Sequence, residues 1–187
     1  TGLPPTFEAV EAFNAEINQR LAWDNLVNQL LASEHYGEKL ASLWLDTVRY
    51  AETNGFERDN KKPYIWRYRD YVIKAFNDNK PYDRFVAEQL AGDELPDGDV
   101  AAKVATGFMT LMQRDDEPAD RDQAHSDMIS DIVDVSSEVF MGTTMGCAKC
   151  HDHKADPIPQ ADYYSLMSFF DSISLSHLQQ PNRAWYD

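Results

Sequence analysis

Cysteine occurs only twice in this chain, and both copies fall in one run, Cys147-Ala148-Lys149-Cys150-His151, continued by Asp152-His153-Lys154. Cys-x-x-Cys-His is the attachment signature of c-type haem. Two thiols three residues apart lie on one side of a helical turn, where each can bond to one vinyl group of the porphyrin. The histidine directly after the second cysteine is then delivered to the iron as its proximal axial ligand. With no third cysteine in the chain, no disulfide competes for these thiols.

Other uses of the same residues fit less well. Zinc held by Cys147, Cys150, His151 and His153 would need four ligands from one short run, whereas structural zinc draws on two separated pairs. A redox Cys-x-x-Cys follows a strand and opens a helix in a βαβ setting, and no such pattern surrounds these residues. Chance occurrence is a real alternative for the bare pentapeptide. The sequence context favours one covalent haem c.

The chain of 187 residues suits a single large domain, and 43% hydrophobic and 12% aromatic residues suffice for a core. Aromatic side chains also suit a large apolar ring. The formal charge of −15 repels phosphates and so argues against nucleic acid and anionic membranes as partners. A basic redox partner protein is the expected complement. No run has the length and apolarity of a transmembrane helix, and Thr1-Gly2-Leu3-Pro4-Pro5-Thr6 is not a signal peptide. Covalent haem attachment takes place outside the cytoplasmic membrane, so a periplasmic or cell-surface location is expected.

Hydrophobic spacing reads as helix throughout. Thr6 is placed to cap a helix over 7–21, and Asp24 to cap a second with Leu26, Val27, Leu30 and Leu31 on one face. Leu40, Leu43, Trp44, Val48 and Ala51 define a third over 36–52, stopped by Asn54-Gly55. A fourth spans 64–77, a fifth opens at Pro81, and a short one covers 100–112. The charged run 114–121 reads as a surface loop. A long helix over 122–141 leads into the cysteine motif, and a last one covers 161–170 beyond Pro157 and Pro159. No period-two strand is present. The fold class is all-α, a multi-helix, cytochrome c-like domain enclosing one covalently bound haem c.

The motif sits within Met141-Gly142-Thr143-Thr144-Met145-Gly146 before it and Asp156-Pro157-Ile158-Pro159-Gln160 and Asp162-Tyr163-Tyr164 after it. Together with Trp44-Leu45-Asp46, Arg49-Tyr50-Ala51-Glu52, Asn54-Gly55, Trp66-Arg67-Tyr68-Arg69-Asp70, Pro81-Tyr82-Asp83-Arg84-Phe85 and Gln89-Leu90-Ala91-Gly92-Asp93, these segments resemble the planctomycete-type surface cytochrome c domains. The likeness runs along nearly the whole chain. It implies haem c and a larger extracytoplasmic precursor with further domains, and it supplies no reaction. Relatives often read Glu-Gly-Gly where this chain has Glu117-Pro118-Ala119.

His151 is the proximal ligand by spacing. The distal side governs function, because a methionine ligand suits electron transfer and a vacant position admits small molecules. Met112 is the first candidate, with Met109, His125, Met167 and His177 behind it; a methionine at helical spacing is also ordinary core filling. His153 is held on the proximal side, suited to a supporting hydrogen bond to a propionate or to the segment around Asp156. Trp44 and Tyr68 are candidate pocket walls, and Arg67 and Arg69 candidate propionate partners, although helix packing and pairing with Asp46, Glu52 or Asp70 explain them equally well. The acidic residues Asp115, Asp116, Glu117 and Asp120 lack calcium-loop spacing and read as solvated charge. Electron transfer at the cell envelope is the leading expectation. A haem enzyme with an open distal face and a haem-stapled structural module are the alternatives.

Overall fold

The computed structural model describes residues 1–173, and their architecture is all-helical, with no strand among them. The helices are α1 (Phe7–Ala15), α2 (Gln19–Leu31), α3 (Glu34–Thr47), α4 (Trp66–Asn77), α5 (Tyr82–Ala91), α6 (Val100–Ala105), α7 (Arg121–Ser136) and α8 (Gln160–Met167). A 3-10 turn, Thr106–Thr110, extends α6, a π turn, Ser137–Met141, extends α7, and a second 3-10 turn, Met145–Lys149, carries the motif.

Two expected boundaries move. The first helix ends at Ala15, where Glu16 turns extended, and α2 begins after Asn18, whose side chain accepts from the Leu21 amide. Asp24 therefore lies inside α2. The third helix stops at Thr47 because Arg49 adopts a left-handed backbone, φ 60°. The Tyr50 amide then bonds back to the Leu45 carbonyl, as a left-handed helix end requires. The hydrophobic pattern ran on to Ala51, but those residues belong to a loop.

The main core packs α3 against α4 and brings α5, α6 and α7 round them. Ala41, Val48, Tyr68, Tyr71, Val72, Phe85, Phe108, Met109, Met112, Ile129 and Ile132 are among its buried members. Gly37 permits the close approach of α3 and α4: a Cβ there would stand 2.5 Å from the Ile73 carbonyl oxygen. The Gly37 amide also donates to Asn77 Oδ1 at 2.8 Å.

This core is partly polar, and the polar groups around Tyr68, Gln89 and Glu88 have partners. Trp44 Nε1 donates to the Tyr68 hydroxyl at 3.0 Å, Tyr68 donates to Gln89 Oε1 at 2.5 Å, and Gln89 Nε2 donates to the Phe85 carbonyl at 3.1 Å. Glu88, 4% exposed, accepts from Tyr71, Lys80 and Arg84. Burial by itself would push the Glu88 carboxyl up; the three donors outweigh it and hold the group below the usual glutamate range.

A second, smaller cluster consists of Val133, Met145, Ala148 and Tyr163. It joins the far end of α7 to the motif turn and α8, and Met167 and Phe170 pack against both clusters. The other end of the chain is the opposite case. No residue of α1 is buried and only Ala22 of α2 is, so Val27, Leu30 and Leu31 face solvent. Phe13 and Trp23 meet edge to face at 5.0 Å between ring centres, which ties the two helices together.

Candidate functional site

The motif turn has an inner and an outer face. Met145 and Ala148, three apart, are buried in the second cluster, while Cys147 and Cys150, also three apart, are exposed free thiols. Cys147 lies in the 3-10 turn and Cys150 directly follows it, and both thiols are exposed while Met145 and Ala148 face the cluster. The turn is anchored from α8: Gln160 Nε2 and the Tyr164 hydroxyl each donate to the Lys149 carbonyl at 3.0 Å. In return Asp152 accepts from the Gln160 amide at 2.8 Å, at the start of α8.

The two histidines are fixed as different tautomers by their partners. His151 Nδ1 lies 2.7 Å from the Asp152 carbonyl oxygen. A carbonyl only accepts, so Nδ1 carries a hydrogen, and in the neutral ring the lone pair is on Nε2, on an exposed side chain. His153 is reversed. Its Nδ1 accepts the Asp156 amide at 2.8 Å and the Ala155 amide at 3.3 Å, which makes Nε2 the donor to Thr144 Oγ1 at 3.1 Å. Its Nδ1 also lies 3.2 Å from the Asp156 carboxylate, but a nitrogen receiving two amide hydrogens is unprotonated, so we assign hydrogen bonding there and no ion pair. Both His153 nitrogens thus serve the loop that shapes the motif.

The remaining sequence candidates lie in the main core or on its rim. Trp44 and Tyr68 bond to each other in the core described above. Met112 is 5% exposed in that same core, and its backbone carbonyl, with that of Thr110, accepts from Lys62. Arg69 pairs with Asp70 at 2.9 Å and Glu52 at 3.4 Å, and the Arg67 guanidinium lies over the Trp66 ring at 5.6 Å. His125 Nε2 bonds to the Ile173 carbonyl at 2.9 Å. His177 lies outside the described residues. Outside the motif turn, Met167 is the methionine packed against the second cluster.

The acidic run before α7 is distributed among separate tasks. Asp116 accepts from Asn54, Asn60 and Arg114, Asp120 caps α7, and Glu117 pairs with Arg58. Among the described residues no three His, Cys, Asp or Glu side chains converge as a metal cluster. An open groove of about 510 Å³ lies where the α2–α3 junction faces α4, lined in part by Glu34, Asp70 and Asn77, and contains no motif residue.

Sequence reasoning missed the carboxyl beneath the motif. Asp134 stands on α7 between buried Val133 and Val135 and opposite Tyr163 of α8. No local signal in the sequence separates Asp134 from Asp131, three residues earlier on the same helix.

An all-helical domain that turns a Cys-x-x-Cys-His run outward at one end is the class of protein that fold and site define. The family model described as PSCyt2, a protein of unknown function (DUF1549), matches residues 1–175, and the chain belongs to that family. No curated protein and no solved structure matches it. No helix among the described residues is long and apolar enough to cross a membrane.

Proposed function

We propose that the protein is a monohaem c-type cytochrome that carries electrons at the cell envelope, to or from a partner or attached domain. The observation that carries this reading is the placement of Cys147, Cys150 and His151: two free, exposed thiols next to an imidazole whose Nδ1 is tied to the Asp152 carbonyl, which leaves Nε2 for a metal. The residues fit the group. Thioether formation needs two accessible thiols, and axial ligation needs a neutral imidazole whose other nitrogen is tied down, here by the Asp152 carbonyl. Exposed Met141, Tyr164 and Phe169 supply apolar surface at this end of the molecule.

When bound, the haem would exchange single electrons at its iron. The chain's own work is to hold the turn rigid from beneath through Met145 and Ala148, and from α8 through Gln160 and Tyr164. His153 fixes the loop that follows. Because both thiols leave the surface, a group linked to them is near an approaching partner, and the net charge of −15 favours a basic one. A periplasmic or cell-surface location follows from covalent attachment.

A second reading, a haem enzyme with an open distal side, gains support from the placement of Met112, which is buried in the main core. If a methionine does ligate, Met167 is favoured over Met112 by its packing beside the motif. Expression in a host with haem-attachment machinery tests the proposal. The expected product is coloured, has the mass of polypeptide plus one haem, and loses both with Cys147→Ala/Cys150→Ala; a colourless product of bare mass overturns it. A low-spin ferric spectrum that Met167→Ala converts to high-spin supports the carrier, whereas a high-spin native protein that binds cyanide quickly supports the enzyme.

A further inference from the structure

Behind the motif turn, on the side away from the thiols, three buried oxygens lack hydrogen-bond partners: Ser130 Oγ, Asp134 Oδ1 and the Tyr163 hydroxyl. Ser130 and Asp134 share one face of α7, and Tyr163 reaches towards both from α8. Ser130 is 4% and Tyr163 0% exposed. The Tyr163 hydroxyl lies close enough to both to perturb their protonation, but one hydroxyl hydrogen cannot satisfy Ser130 Oγ and the carboxylate together. A carboxylate placed among them carries a charge in a poorly solvating pocket, and taking up a proton removes that penalty.

The motif lies directly on this carboxyl. A Cβ built on Gly146 would stand 2.9 Å from Asp134 Oδ1, 3.0 Å from its Cγ and 3.1 Å from Oδ2. Gly146 is the residue before Cys147, so the backbone bearing the first thiol rests against the carboxyl group. Burial raises the Asp134 carboxyl above the usual aspartate range; Asp131 and Glu138 push the same way, and Tyr163 and Lys149 oppose them. Arg49 also faces this group, but its guanidinium is committed to Asp131 through two bonds of 2.8 Å.

We propose that Asp134 is a redox-linked proton site, taking up one proton when a group attached at Cys147 and Cys150 accepts one electron, and releasing it on reoxidation. This rests on the haem reading above. The electron comes from a one-electron donor, the redox partner in the cell or dithionite in the test, and reduces ferric to ferrous iron. The proton comes from solvent and forms an O–H bond on the Asp134 carboxyl, so the site's net charge is the same before and after. Added negative charge at the cofactor favours the protonated acid, and the protonated acid in turn favours reduction. The midpoint potential therefore falls as pH rises through the interval in which Asp134 titrates.

Spectroelectrochemical titration of the haem-loaded chain over a range of pH tests this. The expected result is one interval of falling potential that is flat in Asp134→Asn and displaced, but still present, in Tyr163→Phe. Reduced-minus-oxidised infrared spectra of the unaltered protein should show a protonated-carboxyl stretch gained on reduction and absent from Asp134→Asn. A slope unchanged in Asp134→Asn, or no carboxyl band in the unaltered protein, overturns the proposal and leaves the haem reading standing. A colourless protein of bare mass overturns both.

Discussion

Glu88 and Asp134 are carboxyls carried inward by helices of one acidic protein, and their surroundings treat them in opposite ways. Glu88, inside the main core, is met by Tyr71, Lys80 and Arg84, and stays ionised below its usual range. Asp134, under the motif, has only the Tyr163 hydroxyl and the Lys149 charge to oppose burial, and its carboxyl is raised. Burial pushes both up; the donors decide the outcome. The core around Glu88 is arranged for permanence, and the end carrying the cysteines keeps a group free to change its proton.

Breaking the better-satisfied side should have the largest effect. Glu88→Ala strands two cations and a phenol and should cost about 3–5 kcal/mol of stability; a loss below about 1 kcal/mol in urea unfolding would show that the donors are satisfied by solvent. Tyr71→Phe removes one donor to a charged acceptor and should cost about 2 kcal/mol. On the other side, Asp134→Asn should stabilise the protein by about 1 kcal/mol at neutral pH, the scale of relieving one unsatisfied buried group.

The two carboxyls should also respond oppositely to pH. A raised folded value means that the native state binds the extra proton between the unfolded and folded values, so the Asp134 penalty is fully present above the raised value and relieved below it. The stabilisation by Asp134→Asn should thus shrink towards acid. Glu88 has a lowered folded value, so its contribution is present above the unfolded glutamate value of about 4.3 and is lost as pH falls through the folded one. Urea midpoints at stepped pH check both slopes; parallel curves for Asp134→Asn and the parent would remove the contrast. Tyr163→Phe should be the smallest change, within about 0.5 kcal/mol, because the hydroxyl it deletes makes no well-formed hydrogen bond.

Much of the helical order was legible because amphipathic spacing is a property of neighbouring residues. Boundaries failed where one side chain or one dihedral overrode that spacing, at Asn18 and at Arg49. Asp134 was illegible because nothing local tells a solvent-facing aspartate from one covered by Gly146, twelve positions on. Trp44 and Tyr68 looked like cofactor walls by composition, and their bond to each other depends on α3 meeting α4.

The sequence by itself determined that the chain is helical, that its only thiols are three apart, and that a histidine follows the second. Each is a short-range or covalent matter. Tertiary structure alone decided that the thiols face outward, that His151 presents Nε2, and which buried carboxyl acquired donors. Those outcomes depend on partners brought from distant turns, and hydrogen-bond direction and burial exist only once those turns have met.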